Sequence, residues 1–159
     1  MKRFLTLCLL IAGLAVSAAA KGEEDFASRY VALYGDAHKL SCTTISPQMM
    51  ERIMELEPDD QTSLSREVLS QIKSIRILTC GTDSTEAKDL FDKAEQLANR
   101  NRRRYDTYAT ADDQNIYTRR HGDQLVECVL VKLKGGNTFY MLNLTGTMSD
   151  DFLQQILKI

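Results

Sequence analysis

The sequence predicts an α+β fold: a mostly antiparallel sheet of five to six strands with its helices packed mainly on one face. Three observations predict it. Helical apolar spacing dominates the first half of the chain. Period-two alternation takes over from about residue 105. Two of the longest alternating runs are joined by Gly135-Gly136-Asn137, a strong hairpin signal. Helices followed by a meander of neighbouring strands build a sheet with helices laid against it.

The chain opens with a leader pattern. Lys2 and Arg3 precede an uninterrupted apolar run from Phe4 to Val16, and Ser17-Ala18-Ala19-Ala20 follows. A basic end, a run of this length and small residues before a charged segment make a cleavable signal peptide over 1–20, cut after Ala20. The run falls short of the roughly 20 apolar residues that a membrane span needs. Cys8 lies inside the run rather than at its end, so it offers no lipid attachment point. Residues 21–159 are then a single α+β domain in an extracytoplasmic, periplasmic setting, soluble once the leader is removed. The leader holds two basic and no acidic residues. The remaining 18 basic and 22 acidic residues therefore give a net charge of −4. That balance argues against nucleic acid as a partner.

The elements follow in order. Phe26, Tyr30 and Leu33 recur at helical spacing over 24–34, and Gly35 stops that helix. Ser41 to Ile45 is β-branched and reads as a strand. Ser46-Pro47 is a helix start, a hydroxyl cap followed by proline in the first turn. That helix carries Met50, Ile53 and Met54 on one face and ends before Pro58. A second short helix is expected over 63–72, with Leu64, Val68, Leu69 and Ile72 inward. Ile75 to Thr79 is the next strand. Asp83 caps the longest helix, with Glu86 placed for a capping box. Its apolar stripe is Ala87, Leu90, Phe91, Ala94, Leu97 and Ala98. Strands are expected at 105–110, 116–119, 125–133 and 138–145, and Ser149 caps a final helix.

Three cysteines follow the leader. Cys42 opens the first strand and Cys80 closes the second. The two helices between them, one out and one back, set those strands antiparallel. Cys42 and Cys80 are therefore a candidate disulfide, since export supplies an oxidising setting. Two unpaired thiols in neighbouring strands are the alternative. Cys128, mid-strand among Val126, Val129 and Leu130, is expected to stay reduced and buried.

Segments of the chain resemble the domain-of-unknown-function family numbered 4252, a set of small exported bacterial envelope proteins. The pieces are Thr44-Ile45-Ser46-Pro47-Gln48-Met49-Met50, Ser74-Ile75-Arg76-Ile77-Leu78, the long helix leading into Tyr105, Leu125-Val126-Glu127-Cys128-Val129-Leu130-Val131, and Leu142-Asn143-Leu144-Thr145-Gly146-Thr147-Met148. The resemblance implies an α+β fold and an envelope location, and some members of that set sit among regulators of envelope stress. It implies no activity. Many members of that set are lipid-anchored, and this chain departs from them in lacking a usable cysteine.

Few residues suggest chemistry. Met49, Met50 and Met54 could hold Cu(I), but Met50, Ile53 and Met54 fall on one helical face, which is how a core-facing helix looks. Arg100, Arg102, Arg103 and Arg104 could bind phosphate, but cations at a helix C-terminus also stabilise that helix. His38 and His121, beside Asp36 and Asp123, read as exposed loop histidines. A Cys128–His121 or a Cys42–His38 pair would make a nucleophile. Glu127 stands in an otherwise apolar strand. It is either an outward residue on a half-exposed sheet face or part of a site with Cys128. The glycine loops and nucleophile or zinc motifs of common enzymes do not occur. The leading expectation is an exported, non-enzymatic binding or regulatory module with no cofactor or metal, working on another envelope protein. The alternatives are a carrier of an apolar ligand and an enzyme with its site near Glu127 and Cys128.

Overall fold

The computed structural model describes residues 24–56, 67, 69–81 and 83–156, with backbone alone for 50, 53–56, 155 and 156. The leader and its cleavage point, the helical face of Met50, Ile53 and Met54, and most of the helix expected over 63–72 lie outside the described residues and side chains.

The elements run α1 (Phe26–Tyr34), β1 (Ser41–Ile45), α2 (Pro47–Leu56), β2 (Ile72–Gly81), α3 (Ser84–Arg100), β3 (Asp106–Ala111), β4 (Gln114–His121), β5 (Gln124–Lys134), β6 (Thr138–Met148) and α4 (Asp150–Ile156). The six strands among the described residues join one sheet in the order β1-β2-β6-β5-β4-β3, with every neighbouring pair antiparallel. The meander β3 to β6 is sequence-adjacent throughout. The pair β1-β2 is added on the far side of β6.

Turn chemistry builds the hairpins. Gly135 and Gly136 take φ of 62° and 75°, which glycine adopts at no steric cost. They connect β5 and β6, the two longest strands and the two at the centre. Gly146 serves a different purpose. A Cβ there would lie 2.0 Å from the backbone oxygen of Gln71. Only a glycine lets β2 approach β6 at that point, where Ile72 is paired with Gly146. Ile72 is thus already strand rather than the last turn of a helix. Its spacing from Val68 suits a helix, but ladder pairing with β6 decides its conformation.

Helix signals transfer more directly. Ser46 Oγ accepts from Met49 N at 3.3 Å, and Ser149 Oγ from Phe152 N at 3.3 Å. Asp83 caps α3 by accepting from Thr85 N at 2.9 Å. All six residues of the α3 apolar stripe are buried. In α1 the inward residues are Phe26, Ala27 and Tyr30, while Leu33 is 57% exposed.

Two apolar clusters result. One gathers α1 and α3 with Leu78, Tyr117, Val129, Val131, Phe139 and Met141. The other gathers Phe152 and Leu153 of α4 with Ile116, Cys128, Leu144 and Met148. Successive strand residues point to opposite faces, so Cys128 and Val129 place these clusters on opposite sides of the sheet.

Candidate functional site

The first N–H groups of a helix have no intrahelical carbonyl to bind. In α1 three of them are each taken by a side chain. Glu127 Oε1 accepts from Phe26 N at 2.6 Å, Asn143 Oδ1 from Ala27 N at 2.8 Å, and the capping Asp25 from Ser28 N at 2.7 Å. Two of these acceptors come from the central strands, more than a hundred residues along the chain. The helix end is plugged into the sheet.

Glu127 is the centre of this arrangement. Its second oxygen accepts from Arg119 Nε at 2.7 Å and from the Tyr105 hydroxyl at 3.1 Å. The residue is 0% exposed. It is therefore not an outward residue on a half-exposed face, as its setting in the strand suggests. It faces the α1 side of the sheet, and the buried cation and the helix N-terminus compensate its charge. Burial, and next the Glu127 charge, push the Tyr105 phenol far above its ordinary range, so it stays a donor. Asp25 extends the chain of charges to β2 through Arg76, 3.0 Å away. A carboxylate taking three internal donors is committed to positioning. It fixes where α1 begins.

A second polar group pins the other end of α1. His38, 13% exposed at its side chain, lies between α3 residues rather than in solvent. Its Nδ1 is 2.9 Å from Glu86 and its Nε2 is 2.9 Å from Lys93 Nζ. Lys93 in turn reaches Asp89 at 2.5 Å and stands over the Tyr34 ring. An ammonium can only donate, so Nε2 is the acceptor and Nδ1–H donates to Glu86. The expectation of an exposed loop histidine is thus corrected at His38. Glu86 is the residue expected to complete a capping box; it binds the histidine instead.

A family model for a domain of unknown function, DUF4252, matches residues 34–156. The chain belongs to the DUF4252 family. No curated protein and no solved structure matches the chain. The DUF4252 match begins at the last residue of α1. Glu127, Arg119, Tyr105 and Asn143 therefore lie inside it, while Phe26 and Ala27, whose N–H groups they help to hold, precede it.

The remaining candidates do not converge. Glu127 and Cys128 are consecutive on β5 and point to opposite faces. Cys128 is buried with Leu144 and Phe152, and burial pushes its thiol up to about 12, which leaves it protonated and inert. His121 is exposed at the end of β4. Cys42 is exposed opposite Leu78, and Cys80 is buried two residues further along β2. Register puts both on the same face of adjacent strands, and both are free thiols in the structure. Burial, with Glu86 second, raises the Cys80 thiol. Met49 is 48% exposed. Among the arginines, Arg104 donates to Glu24 O at 2.8 Å and stands over the Tyr105 ring, while Arg100, Arg102 and Arg103 are exposed. Among the described residues, no group of three or more His, Cys, Asp or Glu could hold a metal ion, and no helix is long and apolar enough to cross a membrane.

Arg119, Tyr105 and Asn143 are the partners that sequence reasoning did not single out. Asn143 carried a signal, a lone amide between Leu142 and Leu144 in an apolar strand. Arg119 carried a weaker one, a cation closing an otherwise strand-like run.

Proposed function

We propose that this DUF4252 protein is an exported, non-enzymatic binding or regulatory module that acts by contact in the cell envelope, soluble after cleavage following Ala20. The observation that supports the reading is the commitment of Glu127. Both of its oxygens are occupied by donors of the fold, so the one carboxylate in an apolar strand serves to seat α1. Cys128, its neighbour, faces the other side of the sheet among apolar residues. The best acid–base and nucleophile candidates thus share no space in which a substrate could meet both. The surface offers open grooves instead. One of about 370 Å³ runs between α1 and α3, with Leu33, Leu97, Arg29 and Arg100 along it.

Two measurements test this. Terminal sequencing of the exported form should begin at Lys21; retention of Met1 or a lipid-modified mass removes the export half of the proposal. A photo-crosslinking residue at position 33, used in intact cells, should give a discrete adduct with an envelope protein. The contact half fails if purified protein turns over a substrate and Cys128→Ala or His121→Ala abolishes that turnover without changing the circular dichroism.

A further inference from the structure

The two ends of the sheet are open in different ways. At one end β1 is short, and Ser46-Pro47 turns the chain straight into α2. At the other end, among the described residues, β3 is hydrogen-bonded to β4 alone, and all six of its residues, Asp106 to Ala111, are exposed. An edge strand presents unpaired N–H and C=O groups along its free side. Natural sheets blunt such edges with charged side chains, proline, bulges or a covering element. β3 has no lysine and no proline, each of its six residues is exposed, and one bulge interrupts it at Tyr108. It is built of Thr107, Tyr108, Ala109, Thr110 and Ala111 after a single charged residue, and Tyr108, at its middle, is 43% exposed.

Charge flanks this strand with opposite signs. Arg102, Arg103 and Arg104 precede it, and Asp112 and Asp113 follow it; of these, Arg102, Arg103, Asp112 and Asp113 are exposed. The order is basic, neutral strand, acidic. In an antiparallel pair of identical strands related by a two-fold axis, the start of one strand lies beside the end of the other. The arginines of each copy would then face the aspartates of its partner, at both ends of the pair. A parallel pairing would set like against like. The β1 edge has no such order, since Lys39 precedes it and no acidic residue directly follows it.

We propose that β3 is a self-association edge, on which a second copy of this chain adds its own β3 antiparallel to continue the sheet across a two-fold axis. The centre of the pair falls near Tyr108 and Ala109, bringing the two exposed tyrosines close together. The register shift between Thr107 and Ala109 takes Tyr108 out of the β3-β4 ladder. Such a bulge shortens the run of regular pairing. The contact is therefore smaller than the interface of a permanent dimer, and the dimer is reversible, with the flanking charges supplying both orientation and much of its strength.

Sedimentation equilibrium on the mature chain, residues 21–159, tests the proposal. A concentration-dependent monomer–dimer equilibrium is expected, weakening as salt rises from about 0.05 to about 0.5 M because exposed pairs are screened over that range. The double variant Arg102→Glu, Arg103→Glu should weaken the dimer at least about tenfold, and so should Asp112→Lys, Asp113→Lys, because each sets like charges together. Mixing the two variants should restore association as a heterodimer, since every flank then meets its opposite. Circular dichroism identical to the parent confirms that the variants fold. A chain that stays monomeric at all concentrations overturns the proposal. So does a dimer that ignores both reversals, or a pair of variants that fails to associate when mixed.

Discussion

On one side of β5, Glu127 gathers a guanidinium, a phenol and a backbone N–H around a carboxylate with no exposure to solvent. On the other side, one residue along, Cys128 packs among Ile116, Leu144, Met148 and Phe152. Both residues are buried, and they hold the fold together by different means. The apolar side is non-directional: many arrangements of similar volume would fill it. The polar side is directional, because each donor has one acceptor at one distance and an unfilled partner is costly in a low-dielectric interior. Helix α1 has only nine residues, too few for intrinsic helix stability. Its N-terminus is fixed by the polar contacts while Phe26, Ala27 and Tyr30 add apolar burial on the same face, whereas α4 is held by the packing of Phe152 and Leu153.

The sharpest way to break this comparison is to remove the carboxylate. Glu127→Ala leaves the buried Arg119 charge, the Tyr105 hydroxyl and the Phe26 N–H without this acceptor. It should cost about 3 to 5 kcal/mol, read as a lower urea midpoint at unchanged slope. Glu127→Gln keeps an acceptor oxygen and should cost less. A loss below about 1 kcal/mol for the alanine variant would remove the special status of the polar side. Gly146→Ala comes next. Its new methyl would meet the Gln71 oxygen, so β2 must move off β6, at about 1 to 3 kcal/mol. An unchanged midpoint would show that the approach of the two strands is softer than its geometry implies.

Alkaline titration probes both sides at once. The folded thiol of Cys128 is raised to about 12 and the Tyr117 phenol to about 12, with Tyr30 and Tyr105 raised further, each chiefly by burial. All four are neutral below their unfolded pKa values, so the full stability is present there. Above pH 9 the unfolded state ionises first, and stability should fall progressively as pH rises toward 12. Denaturant midpoints measured from pH 7 to pH 11 check this, and a flat profile would contradict the burial of these groups. The smallest effect belongs to the apolar side. Cys128→Ala removes one buried sulfur and should cost on the order of 1 kcal/mol. Larger losses would mean that the thiol side is as particular as the carboxylate side.

Much of this was legible in residues. The α3 stripe, the caps at Ser46, Asp83 and Ser149, and the glycine turn between β5 and β6 are local signals, and local chemistry decides them. The polar seat of α1 was not, for a reason visible in the ladder. Counting back from the turn at Gly122-Asp123 pairs His121 with Gln124 and Arg120 with Leu125. Continuing without interruption would set Arg119 against Val126. A bulge skips Val126 and sets Arg119 against Glu127. No composition signal announces that extra residue, so the buried ion pair is hidden by a shift of one. Ile72 was misread for a related reason: its spacing suits a helix, and only the glycine seventy-four residues later reveals a strand partner.

The strand order also sets a timetable. Within β3 to β6 each strand pairs with the next along the chain, over short turns, and such hairpins close quickly. The pairing of β2 with β6, and the two hydrogen bonds that seat α1, span 101 and 116 residues in the latter case. Those contacts must wait for the closure of long loops. Helix α1 is therefore among the last pieces to lock, after the hairpin that carries its acceptors exists. In pulse-labelled refolding, the β4 and β5 amides should gain protection before those of Phe26 and Ala27; the reverse order would contradict this timetable. In such a chain the seat of α1 and the pairing of β2 with β6 stay open until the final strands are available.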